Sequence, residues 1–467
     1  MKQHSVGRIR PIACLLTGLV LVAPGAYAQT VNSGVSLGPS QALSQPSSTA
    51  TPALEHLFGD WGGVQTRLGN LGISLVVDAT SEFAGNVNGG VKQGATFANQ
   101  VGFEADVDWG KLAGLNGFST HTVIVNRSGS SDSGLFGDNL EPVQEIYGAG
   151  GNTALHFVYA YGEQSLANGR IDLAAGRMPL ANDFAASPLY CNFMNNSLCG
   201  NPKSLPGGDI GFSSYPDAVW GGRARLRPTP QTYVQFGIYE VNQGLYSNTN
   251  DRTGFKFDGS QDSGVDLPIE LAYEPTFGAD KLPGHYKLGF AYDTSRRTDF
   301  FANAVTTQPQ LKALQSGSRS GNTQVWALAD QMLVRNGPGA TDGIVAIGGF
   351  IHNDPNNSPY AEEYIAGLLG GNFWAARPKD IIGVLISYNT VSGRLGKGQA
   401  LEQEFGLPFS NSASGVQTHE TVLEVNYDIH VYRGVNFEPD FQYIFRPNAQ
   451  ANIHDATVFG FKTHVTF

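Results

Sequence analysis

The sequence lacks an apolar run of the roughly twenty residues that a membrane-spanning helix requires. Its longest apolar stretch lies near the N-terminus and is only about a dozen residues long. Mean hydropathy over the chain is slightly negative. These features exclude a helical membrane protein. They do not exclude a membrane protein built from β-strands, because half of the residues of each such strand are polar.

Cysteine is scarce as well. The chain has three, and Cys14 lies within an apparent export signal that would be removed. The other two, Cys191 and Cys199, bracket a short segment with loop composition. An even number of cysteines at short spacing in an exported chain predicts one small disulfide, formed in the periplasm. A metal site at these cysteines is the alternative, and it is disfavoured because no second Cys or His pair lies nearby.

Basic residues are in deficit. The chain has 29 Lys and Arg against 40 Asp and Glu, a formal net charge of -11. Removal of residues 1–28, which hold three basic residues and no acidic one, brings this charge to about -14. The balance argues against nucleic acid as a partner and against an anion-selective pore. The charge balance does not exclude a neutral solute.

Enzyme signatures are also missing. There is no G-x-S-x-G motif, and His419-Glu420 is not followed by the second His of an H-E-x-x-H zinc motif. The ten histidines are scattered. We therefore expect no catalytic residues, no metal site and no cofactor. A barrel enzyme whose nucleophile and base come from distant positions is an alternative that motifs do not test.

The N-terminus, by contrast, has the form of a secretory signal peptide over residues 1–28. A basic start precedes an apolar segment over residues 12–22, and the stretch ends in the cleavage motif Ala26-Tyr27-Ala28. The apolar segment is too short for a membrane anchor. Residues 29–53 are rich in Ser, Gln, Pro, Thr and Ala with almost no charge, which is typical of a flexible linker.

The dominant positive feature is period-two alternation, which is clearest in residues 419–467. One set of alternate positions is apolar and rich in aromatics, and the other carries charged or amide side chains. The apolar set includes Val425, Phe437, Phe441, Phe445, Phe459 and Phe461, and the polar set includes Glu424, Asp428, Glu438, Asp440, Gln442 and Lys462. Such alternation predicts β-strands with an apolar outer face and a wet inner face, as in a transmembrane β-barrel. The terminal Phe467 matches the signal by which assembly machinery recognises outer-membrane barrels.

Similar β-rich runs recur along the chain, sixteen in total. The predicted fold is all-β: a transmembrane antiparallel β-barrel of about 16 strands within residues 54–467, with short periplasmic turns and long external loops. A short helix over residues 60–69 precedes the strands, which start at about residue 72. The longest loops are residues 128–141, 190–211, 243–264 and 390–418. A soluble all-β protein is the alternative, but it would not need a charge at every second position.

A selective pore needs a narrow point that binds its solute. A sugar offers an apolar ring face to aromatic side chains and hydroxyls to arginines and carboxylates. The candidates are Arg127, Glu145, Arg177, Arg223 and Arg225, with Tyr215 and Trp220 for stacking. Each has the alternative of a strand-face charge or an interfacial aromatic. For Trp109, Trp326 and Trp374 we expect the interfacial aromatic girdle.

Several motifs, in this order along the chain, resemble the carbohydrate-selective porins of the OprB type. The resemblance runs from about Leu57 to Phe467. Its motifs are GDWGG at 59–63, NRSG at 126–129, QEIYG at 144–148, GRMP at 176–179, the loop between the two later cysteines, LPGHYKLG at 282–289, ARPKD at 376–380 and PDFQYI at 439–444.

The resemblance implies a sixteen-stranded barrel, forming a homotrimer in outer-membrane lipid, that passes glucose, related monosaccharides or polyols by passive diffusion. In such porins an Arg, a Glu and an aromatic residue line the constriction. Arg127 and Glu145 match the first two, and Tyr215 stands where the family often has Trp, with Trp220 as the nearby alternative. A general porin without sugar preference and a structural or adhesive barrel are the competing functions.

Overall fold

The computed structural model describes residues 55–137, 140–147, 151–247, 253–301 and 317–467. The predicted signal peptide (1–28) and linker (29–53) lie outside these residues. Among the helices that the structure describes, none is long and apolar enough to cross a membrane.

The described chain forms a closed antiparallel barrel of sixteen strands, as the alternation predicts. The strands are β1 Ile73–Gly90, β2 Gly94–Asp108, β3 Phe118–Gly129, β4 Thr153–Leu166, β5 Ile171–Met178, β6 Val219–Thr229, β7 Thr232–Asn242, β8 in three parts (Asp262–Asp266, Ile269–Tyr273 and Thr276–Phe277), β9 Leu282–Thr298, β10 Ser318–Arg335, β11 Gly343–Asn353, β12 Tyr360–Gly371, β13 Ile381–Val391, β14 His419–Tyr432, β15 Val435–Phe445 and β16 His454–Thr466. Strand β1 pairs with β16, and the rings of Phe83 and Phe461 stack across this seam at 5.3 Å. The first break in β8 falls at Pro268, which has no N–H to donate to a ladder.

The α-helices within the described residues are short. They are α1 Val64–Asn70, α2 Trp109–Ala113, α3 Ser133–Phe136, α4 Ser204–Gly208 and α5 Gly393–Glu404. The predicted helix before the first strand is present as α1, and the Asp60 carboxylate accepts the Thr66 backbone N–H at 2.7 Å. Helix α5 lies within residues 390–418, which the sequence predicts as loop only. Its three glycines weaken the helical signal, but the Ser392 hydroxyl caps its N-terminus.

The two ends of the barrel differ in their connections. Connections of two to nine residues join strands at one end, here called the turn end, for example residues 230–231, 278–281 and 433–434. The longest connections lie at the other end, the loop end, for example residues 179–218 and 392–418. The final residue, Phe467, lies at the turn end beside the start of β1, because its N–H donates to the Val77 carbonyl at 2.9 Å.

The strand faces follow the predicted alternation in the C-terminal region. Phe459 on β16 is 53% exposed on the outer surface, whereas Lys462 on the same strand is buried on the inner side. Glu438 on β15 faces inward beside it, with 3.1 Å between its carboxylate and the Lys462 ammonium. Polar and charged groups therefore line this part of the barrel interior.

The interior is not polar throughout, however. Residues 179–218, here called the inner segment, fold from the loop end into the barrel. Their apolar side chains pack on the inward faces of β10 to β13 and form one buried core. This core contains Leu180, Phe184, Phe193, Leu198, Leu205 and Phe212 of the inner segment and Trp326, Leu328, Val345, Ile347, Leu369 and Leu385 of the wall. The expectation of a uniformly wet interior is therefore wrong for this sector.

Trp326 shows the difference most clearly. It is fully buried, its indole N–H donates to Glu270 at 2.8 Å, and its ring meets Phe212 edge-on at 5.7 Å. Its assignment to the aromatic girdle is wrong, because its position on β10 faces inward. Trp374, 49% exposed between β12 and β13, and Trp109, partly exposed at the start of α2, do lie at the turn end as girdle residues would.

Candidate functional site

Arg127 is held rigidly inside the barrel near the loop end of β3. Its Nε donates to the Gln100 side chain at 2.7 Å, and Gln100 is its direct cross-strand partner on β2. Its Nη1 donates to the Ile146 carbonyl at 2.7 Å. Only 2% of the residue is exposed. These bonds from two different segments fix the orientation of the guanidinium group.

Glu145 comes to the same place on a loop that turns into the barrel, residues 140–147. Its backbone N–H donates to the Met194 carbonyl of the inner segment at 3.0 Å. One carboxylate oxygen lies 4.0 Å from Nη2 of Arg127. Burial raises the pKa of the Glu145 carboxyl, and the nearby Arg127 and Lys462 cations offset part of that rise.

The neighbours of Glu145 in sequence anchor this loop to the wall. The Gln144 side chain donates to the Glu82 carbonyl at 3.0 Å and accepts from the Thr96 hydroxyl at 2.9 Å. The Ile146 N–H donates to the Glu82 carboxylate at 3.1 Å. Gln144 thus binds the barrel wall, and Glu145 is directed toward Arg127.

Tyr215 supplies the aromatic surface. It lies near the end of the inner segment, and the Arg127 guanidinium carbon sits 5.5 Å from the centre of its ring. Its hydroxyl oxygen is buried and has no hydrogen-bond partner among the residues that the structure describes. A buried hydroxyl of this kind is a place where water or a solute hydroxyl gains a hydrogen bond.

Three segments that are far apart in sequence thus bring together Arg127, Glu145 and Tyr215, here called the eyelet cluster. The cluster combines a forked donor, a carboxylate acceptor and an aromatic ring. Its one positive and one negative group lie next to each other, so it presents little net charge. This chemistry suits a neutral polyhydroxylated solute better than an ion.

Trp220 does not belong to the cluster. It lies on β6 with 49% of its surface exposed on the outer face, and its ring meets Phe257 at 6.2 Å. The alternation of β6 explains this position, because Arg223 and Arg225 of the same strand face inward and Trp220 has the opposite parity. The prediction that Trp220 lines the constriction is therefore wrong.

Arg177 also lies on the outer side. It is the cross-strand partner of Trp220, and it follows Leu173 and Ala175 on the exposed face of β5. The Phe257 ring covers its guanidinium at 5.6 Å, so that Arg177 is only 4% exposed. The prediction that Arg177 lines the constriction is therefore also wrong, because its position on β5 faces outward.

Arg223 and Arg225 face inward, but nearer the turn end than Arg127. Arg223 binds Asp183 of the inner segment at 2.7 Å and Glu163 of β4 at 2.8 Å. Arg225 lies 3.4 Å from Asp183 and donates to Gln235 at 2.8 Å. We call Glu163, Asp183, Arg223 and Arg225 the lower ion cluster. It joins the inner segment to the wall with balanced charge.

The tip of the inner segment is held from the opposite wall. Cys191 and Cys199 are disulfide-bonded there, with their Cα atoms 4.2 Å apart. The Lys462 ammonium donates to the carbonyls of Cys191 and Phe193 at 3.1 and 3.0 Å. Sequence reasoning missed this anchor, although a lysine at an inward position of the last strand was a visible signal.

Three buried carboxylates near this anchor could bind a cation by spacing alone: oxygens of Glu424, Glu438 and Asp440 lie within 4.8 Å of one another. Lys462 already supplies a positive charge to Glu438. The Glu424 carboxylate accepts the N–H groups of residues 194 and 195 at 2.5 and 3.1 Å. The group therefore serves to hold the inner segment.

Comparison with known proteins agrees with this architecture. Residues 92–467 match the family described as carbohydrate-selective porin, OprB family. Porin B of Pseudomonas aeruginosa is 29% identical over 437 residues, covering 89% of this chain and 92% of that protein. A putative porin of Acinetobacter baylyi, QuiX, is 27% identical over 425 residues, covering 88% and 93%.

A solved structure gives the same result. The high-pH structure of Pseudomonas putida OprB superposes with a TM-score of 0.80 at 27% identity, covering 89% of this chain and 99% of that chain. The family match spans well over half of the sequence. The chain therefore belongs to the carbohydrate-selective porins of the OprB family.

Proposed function

We propose that the eyelet cluster selects sugars during passive diffusion through this outer-membrane porin, with glucose, related monosaccharides and polyols as solutes. The observation that carries the proposal is the position of the Arg127 guanidinium, 5.5 Å from the centre of the Tyr215 ring and 4.0 Å from the Glu145 carboxylate. The cluster contains every group type that a sugar needs for recognition.

Each group has a distinct role in the proposal. Arg127 donates to sugar hydroxyls, Glu145 accepts from them, and Tyr215 contacts the apolar ring face. Because these groups are held by the wall and by two loops, they lose little side-chain freedom when the solute arrives. Binding must also be weak, since a channel solute has to leave as readily as it enters. The protein acts as a channel and not as an enzyme in this proposal.

Export and assembly belong to the same proposal. Residues 1–28 act as a signal peptide that is cleaved on export, and Phe467 is recognised by the barrel-assembly machinery. The support for the second role is that Phe467 ends the strand that closes the barrel. The aromatic and aliphatic outer face, for example Leu288 and Phe290 on β9, contacts outer-membrane lipid.

We assign the homotrimer contact to the outer face of β3 to β6. Small outward residues replace large apolar ones there, among them Thr122, Ala160, Ala175 and Ala224. A second copy of the chain would cover these positions closely. An Ala175→Trp variant tests the assignment, because its large side chain should prevent close contact and the variant should migrate as a monomer in native electrophoresis.

Liposome swelling tests the function. Vesicles with the purified porin are compared in glucose, a polyol, a disaccharide and a zwitterionic amino acid of similar size. We expect glucose to permeate faster than the amino acid, and Arg127→Gln to reduce this ratio. Arg296→Gln, which changes an exposed arginine of β9, is the matched control. Rates ordered only by solute size would establish a general porin instead, and no swelling from folded protein would refute the channel function.

A further inference from the structure

A second group of aromatic and charged side chains lies inside the barrel on the turn side of the eyelet cluster. Along β3, His121 is six residues from Arg127, which corresponds to about 20 Å of extended strand. Its cross-strand partner on β4 is Tyr161, on the same inner face. The group therefore lies nearer the turn end than Arg127, and Tyr161 and Tyr215 pack against one buried cluster that contains Tyr159.

Tyr161 presents a supported aromatic ring. It stacks on His121 with ring centres 4.9 Å apart and planes inclined by 27°, and the Tyr159 ring lies 5.5 Å away on the side of the eyelet cluster. His121 is itself fixed, because its two ring nitrogens lie 2.6 Å from Asp106 and 3.0 Å from Ser119. His121 and Tyr159 are buried, whereas Tyr161 is partly exposed. The three rings are thus packed together, and Tyr161 is the one that remains partly exposed.

The lower ion cluster supplies polar groups beside this ring. Glu163 follows Tyr161 by two residues on the same face of β4, and it is paired with Arg223 at 2.8 Å. Arg223 also binds Asp183 of the inner segment, at 2.7 Å. Donors and acceptors with balanced charge therefore lie on the same inner face as Tyr161, nearer the turn end.

This arrangement repeats the chemistry of the eyelet cluster. Both places combine an aromatic ring, at least one guanidinium and at least one carboxylate, with positive and negative charges adjacent. A channel that holds its solute at successive weak sites avoids a single deep well from which escape is slow. A second site with the same chemistry would bind the solute after it leaves the eyelet cluster, at a position nearer the turn end.

We propose that Tyr161, supported by His121, forms a second sugar-contact site on the turn side of the eyelet cluster, with the lower ion cluster binding the hydroxyls. The inference rests on the proposed function, since it concerns the same solutes and the same path. Tyr161 contacts the apolar face of a neutral, polyhydroxylated ring. His121 positions Tyr161 and does not touch the solute.

The test is the reduction of single-channel ion current by glucose in planar bilayers. Tyr161→Leu removes the ring, and Tyr161→Phe removes only the hydroxyl. We expect the glucose concentration for half-maximal current reduction to rise about two- to tenfold in Tyr161→Leu, as loss of one stacking contact implies, and less in Tyr161→Phe. Open-channel conductance without sugar should stay near the wild-type value in Tyr161→Phe, which separates solute contact from a packing role.

Two comparisons make the result specific. Tyr273→Leu changes an exposed tyrosine of β8 on the outer surface and should leave the glucose effect unchanged. Tyr161→Leu in an Arg127→Gln background should weaken the effect by the same factor as in the wild type, because about 20 Å of strand separates the level of Tyr161 from that of Arg127. Tyr161→Gln replaces Tyr161→Leu in the test if the leucine variant does not insert as a folded pore.

The outcomes separate the two proposals. A glucose effect that falls in Arg127→Gln but is unchanged in folded Tyr161→Leu or Tyr161→Gln would overturn the second site and leave the eyelet function standing. Absence of any glucose effect in the wild-type pore would overturn both. A loss of the glucose effect in Tyr273→Leu equal to that in Tyr161→Leu would show that the change is non-specific, and would also overturn the second site.

Discussion

The imidazole Nδ1 of His56 lies 2.7 Å from the carbonyl oxygen of Phe467, so the segment before the first strand is bonded to the end of the last. The Leu57 N–H donates to the Thr466 carbonyl at 2.8 Å, and the rings of Phe58 and Phe467 are 5.7 Å apart. Residues 56–58 thus brace the turn end of the seam between β1 and β16.

We expect His56→Ala to weaken this brace. Loss of one hydrogen bond should lower the free energy of unfolding by about 0.5–1.5 kcal/mol. The measurement is urea unfolding of the refolded porin in lipid vesicles. His454→Ala is the control, because this exposed histidine at the loop end of β16 makes no side-chain contact that the described residues reveal. Equal stability of the two variants would show that the brace contributes nothing.

Glu145 should give the sugar preference a pH dependence. Burial raises the pKa of its carboxyl, so the carboxylate is lost at a higher pH than for an exposed glutamate. On lowering the pH through that raised pKa, the acceptor beside Arg127 is neutralised and the preference for glucose over a neutral polyol should fall. A Glu145→Gln pore should show a reduced preference that no longer changes over this range. Identical pH profiles in the two pores would contradict the role of Glu145.

The raised pKa of Glu145 also makes the free energy of unfolding depend on pH. A pKa that is higher in the folded than in the unfolded state means that the folded protein holds this proton more tightly. The contribution of Glu145 to stability is therefore fully present below its unfolded pKa and is lost as the pH rises through the folded pKa. Glu145→Gln should remove this contribution, and unfolding at several pH values measures it.

Much of the fold could be predicted from the sequence, because lipid outside and water inside impose opposite demands on alternate residues. Val425 and Glu424, for example, reveal the two faces of β14 without any structural knowledge. Trp326 could not be placed in this way. Its inward position suits an aromatic residue only because the inner segment covers it, and no local pattern shows where residues 179–218 fold.

The site was predictable only in part for the same reason. Motif context identified Arg127 and Glu145, and the structure brings them together. Strand parity, counted from Leu173 and Ala175, would have placed Arg177 on the outer face. Gln100 could not have been found, because its contact with Arg127 depends on the register between β2 and β3. Tyr215 depends on the path of the inner segment, which is set by long-range packing.

Trp326 should be a strong determinant of stability. Trp326→Ala removes a fully buried side chain from the core that joins the inner segment to the wall, and we expect a loss of about 3–5 kcal/mol in unfolding free energy. Trp374→Ala, at a position that is 49% exposed, should cost far less in the detergent-solubilised protein. Far-UV circular dichroism during urea unfolding compares the two without relying on tryptophan emission. A similar cost in both variants would refute the internal core as a source of stability.

Lys462 joins the barrel wall to the tip of the inner segment. Its ammonium is buried between the Glu438 carboxylate and the carbonyls of Cys191 and Phe193. Lys462→Met should leave the buried Glu438 unpaired and cost about 3–5 kcal/mol in unfolding free energy. It should also release the tip of the inner segment, raising single-channel conductance and reducing the preference for glucose.

The double variant Lys462→Met with Glu438→Gln separates the two effects. It removes the unpaired charge, so much of the stability should return, whereas the carbonyls of the inner segment still lack their donor and the conductance should stay high. Lys379→Met is the control, because its ion pair with Glu55 is exposed and should be worth at most about 1 kcal/mol. A Lys462→Met pore with wild-type conductance and wild-type stability would show that Lys462 does not hold the inner segment in place.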